Sequence, residues 1–358
     1  MASGGDVTTN YRDTLPDTPC FIFGAGARRK LLYQRGVLSD ALSGETLYQW
    51  DIAHETIIPD AYTVNIVTTR GAHITICEDE QGVWIDDELV AGAGHLGGDR
   101  HLILLPSFEG HPYAATLRIL HHEVLVNIVN GKPLPNFFVY ARPWMRDAAM
   151  MALVLERTGN THLLADWIMS LRDPFDRNNA GHREADNLGQ ALYLISLVAD
   201  AAHPLAQEVL RVLPQYERDQ YIVGLSDFAE HAVYQTKWLK YGLRRLELPD
   251  PFEIPRVQDE YSALFWMDYR DQHVPAPPFS QRGSDLYPYL AWAEAHFHGW
   301  SPPMHLLAER YPLTWEAEAS QANYAGMACM NQVCLDMRVC RLHSWHAAEA
   351  FLYLHELG

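Results

Sequence analysis

From Ala114 onward the chain places apolar residues at helical spacing in one segment after another, each opened by proline or a polar cap or closed by glycine. Ala114 to Asn130 is apolar-rich and meets Gly131 and Pro133, a stop signal. Pro143 opens the next helix where proline is favoured, with Met145, Ala148, Ala152 and Leu155 on one face and Gly159-Asn160 at its end. A shorter helix is expected from Thr161 to Leu171. Another starts near Asp186 with Leu188, Leu192, Ile195 and Ala199 on one stripe, followed by a Pro204-started partner. The rhythm continues through Glu230 to Leu246, Glu260 to Tyr269, Asp285 to His298, Pro302 to Tyr311, Glu316 to Val333 and Ser344 to Leu357. No fixed-period repeat is visible, which disfavours a regular solenoid. Paired helices without a strict repeat predict a mainly α fold: an (α/α)6-type toroid of helical hairpins over residues 111–358, with a compact irregular bundle as the other arrangement of the same elements.

The part before Pro112 has a different texture. Residues 1–19 read as a flexible N-terminal segment and residues 20–110 as a small β-rich region. Thr63 to Asp86 holds three β-branched runs, split by Arg70-Gly71 and by the Glu78 to Gly82 turn, the signal of a meander. FGAGARRK (Phe23 to Lys30) invites a phosphate-loop reading but fits neither GxGxxG nor the Walker pattern, so a turn between two strands is expected. This region is open to two roles, the rim of a pocket or a homodimer interface.

Charge removes several function classes. The 27 Lys and Arg against 45 Asp and Glu give a formal charge of −18, and no basic run exceeds Arg28-Arg29-Lys30. Such a chain lacks the basic face that displaces counterions from phosphates, so neither nucleic acid nor an anionic membrane is expected as partner. The N-terminus has no basic head before an apolar core, and no apolar stretch of about 18 residues occurs, so a cytoplasmic protein is expected. The five cysteines, Cys20, Cys77, Cys329, Cys334 and Cys340, lack paired spacing and read as reduced, buried thiols. His121-His122-Glu123 and the His343, His346 pair sit at helical spacing, but HExxH is absent, and they read as packing or surface residues. No metal or other cofactor is called for.

Several predicted helices open with a polar and aromatic cluster: PWMRDAAM (Pro143 to Met150), HREADNLGQ (His182 to Gln190), QDEYSALFW (Gln258 to Trp266), SDLYPYLAW (Ser284 to Trp292) and LTWEAEASQANY (Leu313 to Tyr324). One such cluster reads as a helix cap, because acidic side chains suit the dipole at a helix start. The recurrence of the pattern beside Trp and Tyr points instead to a pocket at one end of a ring. Aromatic faces there would stack on a sugar while carboxylates, amides and Arg bond its hydroxyls.

These residues carry a family likeness. WMRDAAM, followed by a helix ending in RTGN, resembles the first inner hairpin of the six-hairpin glycosidases, the glucoamylase-like superfamily. LTWEAEASQANYAGM is similar to the late loop that places a catalytic carboxylate in several of those families, and HSWHAAEAFLYLHEL to a closing helix. The resemblance covers about two thirds of the chain and implies a glycosidase in which Arg146 and Asp147 grip sugar hydroxyls, by an inverting reaction with carboxyls about 6.5–9.5 Å apart.

Glycoside hydrolysis needs one carboxylic acid to protonate the leaving oxygen and a second carboxylate to activate water or attack the sugar. Glu184 or Asp186 is expected as one partner and Glu316 as the other, with Asp259 and Glu318 in reserve. Asp147 is also a plausible acid. Two residues apart on an expected helix, Glu316 and Glu318 cannot both face the pocket. Asn187 and Gln190 offer amide hydrogen bonds, and Trp144, Tyr261, Trp266, Tyr287 and Trp315 offer stacking. The expected substrate is a short neutral oligosaccharide or glycoside. Two other readings use the same residues: a polysaccharide lyase or sugar epimerase, which would want more basic groups for a uronate, and a non-catalytic sugar-binding protein.

Overall fold

The computed structural model describes residues 19–92, 102–227, 229–257, 311–317 and 321–358. Two antiparallel meanders come first. β1 (Cys20–Phe23), β2 (Leu31–Gln34), β3 (Val37–Asp40) and β4 (Thr46–Gln49) form one, in sequential order. β5 (Ile52–Ile58), β6 (Thr63–Thr68), β7 (His73–Glu78), β8 (Gly82–Ile85) and β9 (Glu88–Gly92) form the other. β6 and β7 alternate inward Val64, Ile66 and Ile76 with less buried neighbours, the half-covered pattern of a meander.

The helices follow. α1 is Ala114–Val126, α2 Met145–Arg157, α3 Ala165–Ser170, α4 Asp186–Ser196, α5 Pro204–Val212, α6 Ala232–Arg245, α7 Gln332–Asp336 and α8 Ser344–His355. α8 packs against α1 and α2, α2 against α4, and α4 against α5 and α6. Every residue of α2 from Met145 to Leu155 is buried, as expected of a helix surrounded by others. α4 and α6 touch backbone to backbone through two glycines: a Cβ on Gly189 would lie 2.1 Å from the Trp238 carbonyl carbon, and one on Gly242 2.6 Å from the Gly189 oxygen.

This overturns the mainly α toroid. The protein is 36% helical and 22% strand, and no closed ring of helical hairpins is present among the described residues. Ribbons of two or three residues per strand occupy places where the sequence predicted plain turns or helix. β10 (Ile128–Val129) pairs with β11 (Lys132–Pro133) around Asn130-Gly131, both at positive φ, which is a hairpin turn rather than a helix stop. β12 (Glu217–Arg218) pairs with β13 (Tyr221–Ile222), and β14 (Leu225–Ser226) with β15 (Ala229–Glu230). β16 (Trp315–Ala317) pairs with β17 (Val339–Arg341), so Glu316 stands on a strand where a helix to Val333 was expected. The helices predicted at Glu260 to Tyr269, Asp285 to His298 and Pro302 to Tyr311 lie, but for Tyr311, outside the described residues.

The β-rich part is fastened to α1 by a buried carboxylate. Phe23 to Lys30 links β1 to β2 and does enclose an anion, the protein's own Glu78. The amides of Gly24 and Ala25 donate to Glu78 at 3.0 and 2.7 Å, Arg28 Nη1 at 2.9 Å, and His122 Nε2 of α1 lies 3.0 Å away. His122 is itself stacked against Phe21 and Tyr62. Burial alone would raise the Glu78 pKa, but His122, Arg28 and the Ala25 amide pull it down to about 2.

Replacing Glu78 by Gln strands Arg28 in the interior, and we expect it to cost about 3–5 kcal/mol of stability near neutral pH. Because the folded pKa lies below the ordinary 4.5, that contribution is present above about pH 4.5 and is lost as pH falls toward 2. Denaturant midpoints of wild type and Glu78→Gln should therefore converge on acidification. A gap that stays constant down to pH 2 would contradict the assignment.

Candidate active site

The site is built on the first turn of α2. Trp144 precedes the helix in extended conformation, and the Met145 amide donates to Asp176 Oδ2 at 2.6 Å, so α2 is capped from the loop before α4 and not by its own residues. That leaves the side chains of Arg146 and Asp147 for other work. Successive residues on a helix point about 100° apart, and these two turn to different groups of carboxylates.

Arg146 faces the start of α4 and the β14–β15 hairpin. Its Nε donates to Asp186 Oδ2 at 3.0 Å and its Nη1 to Asp227 Oδ2 at 2.9 Å, and its Nη2 lies 3.5 Å from Glu184 Oε2. Its guanidinium also lies 5.7 Å from the ring centroid of Trp345. Asp186 is completely buried and saturated, taking Gln190 Nε2 at 2.9 Å and the Ser226 hydroxyl at 2.5 Å as well. Glu184 accepts from Asn179 Nδ2 at 3.3 Å and from the Asp227 amide. Burial pushes Glu184 up to about 7, against the pull of Arg146 and with Asp186 and Asp227 adding to the rise. A carboxyl in that range holds a proton near neutrality and can give it up.

Asp147 faces the start of α8 and β16. His343 Nε2 lies 3.0 Å from Glu316 Oε2 and 3.9 Å from Asp147 Oδ1, and the Tyr140 hydroxyl donates to Glu316 Oε2 at 3.0 Å. Burial raises Asp147 to about 7, with His343 and Arg146 opposing and Glu316 adding to the shift. For His343, burial disfavours the imidazolium, but Glu316 and then Asp147 outweigh it, so its pKa lies above the ordinary histidine value. The side chain of Glu316 is 19% exposed where those of Asp147 and Asp186 are 4% and 0%, which makes Glu316 the one of the three that meets solvent.

The sequence-predicted residues divide accordingly. Glu184, Asp186, Arg146, Asp147 and Glu316 come together at or beside one helix start. Asn187 and Gln190 are buried; Asn187 Nδ2 donates to Gln190 Oε1 at 3.1 Å and Gln190 in turn donates to Asp186. Trp144 is half-buried with its ring against Tyr140, at the edge of the site. Trp315 is buried and its carbonyl accepts from His346 Nδ1 at 2.7 Å. Asp259, Tyr261, Trp266, Tyr287 and Glu318 lie outside the described residues.

Sequence reasoning missed His343, Tyr140, Asp227 and Trp345. His343 was read as packing or surface, yet it stands between two carboxylates. The available signal was its place immediately before a helix whose next ten residues hold one further buried acid, Glu349, which burial raises well above the ordinary glutamate value. The β14–β15 hairpin that bonds Glu184 also lines a cavity of about 430 Å³, with Tyr221, Val223, Ala229, Glu230 and His231 on its wall. Among the described residues no group of three or more His, Cys, Asp or Glu side chains is placed to hold a metal ion, and no described helix is long and apolar enough to cross a membrane. No protein-family model, curated protein or solved structure matches the chain.

The raised Asp147 gives a pH test with a definite sign. A carboxyl with a folded pKa of about 7 against 3.8 binds a proton in the native state that the unfolded chain has lost, so stability falls as pH rises from about 4 to about 7. Asp147→Asn removes that dependence. Urea midpoints at about pH 4.5 and 7.5 should show wild type losing ground to the variant at the higher pH; a gain would refute the buried, proton-holding Asp147.

Proposed function

We propose that this protein is a glycoside hydrolase acting on a short neutral oligosaccharide or glycoside, with Glu184 as proton donor and Glu316 as base. The observation that carries the reading is one helix start serving two carboxylate groups of opposite character. One holds Glu184, buried and proton-bearing near neutrality. The other holds Glu316, partly open to solvent and backed by Tyr140 and His343.

In the reaction the Glu184 proton passes to the glycosidic oxygen as the bond from the anomeric carbon to that oxygen breaks. Glu316 takes a proton from the water that attacks the anomeric carbon from the opposite face. The products are a free alcohol and a sugar of inverted configuration, and exchange with solvent returns each carboxyl to its starting state. Trp144 and Trp345 supply half-buried aromatic surface beside the two groups.

A uronate substrate fits less well. Its carboxylate would enter among Asp147, Glu184, Asp227 and Glu316, and the nearby Arg146 is already engaged by three acids. The pair of His343 and Tyr140 on Glu316 is nevertheless the kind of group a lyase or epimerase uses to take a proton, and one experiment separates the readings. Purified protein is assayed on aryl glycosides, short oligosaccharides and uronate-containing oligomers, with the anomer formed read by NMR. Hydrolysis with inversion is expected, with kcat lowered about 10²–10⁴-fold by Glu184→Gln and by Glu316→Gln. Glu184→Gln should retain more activity on 4-nitrophenyl glycosides, whose leaving group needs little protonation. Absence of any hydrolysis, with an unsaturated product from the uronates, would sink the hydrolase.

A further inference from the structure

Glu123 is a buried acid outside the groups just described. It lies on α1, completely enclosed, and reaches 190 residues along the chain. The Leu313 amide donates to its Oε1 at 2.5 Å, and the Thr314 hydroxyl donates to its Oε2. Thr314 is more than an end point. Its Oγ1 accepts from the His343 amide at 2.9 Å, and its carbonyl accepts from the Leu342 amide at 2.7 Å.

These bonds continue the β16–β17 ladder by one step past the Trp315 and Arg341 pair. Thr314 lies two residues before Glu316, and its partner His343 lies two residues after Arg341. The backbone that carries the His343 ring is held by the ladder, by the Ser344 amide on the Pro135 carbonyl and, at the His343 amide itself, by a hydroxyl that donates to Glu123. While that proton points at Glu123, the oxygen lone pairs face the His343 amide. The hydroxyl has a competing acceptor in the His343 carbonyl at 3.3 Å, which would turn it away from that arrangement.

We propose that Glu123 is a positioning residue: acting through the Thr314 hydroxyl, it fixes the backbone of His343 and so sets His343 Nε2 against Glu316. As a role in catalysis this rests on the glycosidase reading; as a statement about the His343 and Glu316 pair it does not. A glutamine at 123 keeps the shape but has one acceptor oxygen for two donors. Turned to Thr314, its amide nitrogen would donate to Oγ1 and push the hydroxyl proton toward the His343 carbonyl.

The test uses the His343 imidazole as reporter, its NMR signal assigned by its loss in His343→Gln. Among the described residues, the groups facing that ring are Glu316 from β16, Asp147 from α2 and His346 one turn along α8. In Thr314→Val and in Glu123→Gln the His343 titration should move down toward the ordinary histidine value as Glu316 draws away, while Thr314→Ser, which keeps the hydroxyl, should titrate as wild type. On the best glycoside, kcat should fall about tenfold to a hundredfold in Thr314→Val with KM little changed, the effect of misplacing a group by a fraction of its reach. Should Glu123→Gln fail to fold, Thr314→Val carries the test. A folded Thr314→Val with wild-type His343 titration overturns the inference whether or not any glycoside is cleaved. Wild type that cleaves none, with the titration shifted as stated, overturns the glycosidase reading and leaves the positioning in place.

Discussion

Arg146 meets Glu184, Asp186 and Asp227 with one guanidinium, and most of what surrounds the site depends on that meeting. Gathering three acids, with Glu184 and Asp186 buried, is costly unless a cation and further donors accompany them. The planar fork of arginine offers donors along several edges at once, which a lysine ammonium cannot do in the same geometry. By engaging all three it ties the start of α2 to the start of α4 and to the β14–β15 hairpin. It also turns the next residue, Asp147, toward α8 and β16. The two carboxylate groups are separate because neighbouring side chains on a helix diverge, and they are close because both stem from the same turn.

That arrangement was legible in part. An Arg-Asp pair at the head of an apolar helix, and Glu184 and Asp186 at the head of another, stand out because polar residues there interrupt the apolar pattern that follows. What the pattern leaves open is what such residues do. Capping is the default for an acid at a helix start, yet neither α2 nor α4 has a side-chain cap from its own N-cap residue, and α2 takes Asp176 in that place. That partner is 31 residues away, and nothing local announces it.

The toroid expectation failed for a related reason. A strand two residues long has no alternation to read, so β10 to β15 left no trace beyond dipeptides such as Asn130-Gly131, which serve a helix end or a hairpin equally well. Glu316 shows the same limit. Its surroundings, rich in Ala and Glu, favour helix by propensity, but pairing with Cys340 across the ladder makes it strand, and that pairing is a long-range contact. His343 was passed over because a histidine near a helix start is uninformative until Glu316 and Asp147 are known to flank it.

Two buried carboxylates show how structural and functional burial differ in one chain. Glu78 has Gly24, Ala25, Arg28 and His122 arranged around its two oxygens, and its pKa is held low. Nothing about it asks for a further partner, and it acts as a rivet between the meanders and α1. Asp147 is as deeply buried, yet its Oδ1 has no hydrogen-bond partner among the described residues, with His343 Nε2 at 3.9 Å, and its pKa is pushed up. An acid left short of donors in the interior is a cost to the fold, and Asp147 shares it with Glu349 of α8. Asp147 lies between Glu316, which meets solvent, and an arginine that has drawn three other acids together. The incomplete satisfaction of Asp147 beside the part-exposed Glu316, more than the number of acids nearby, is what marks this helix start.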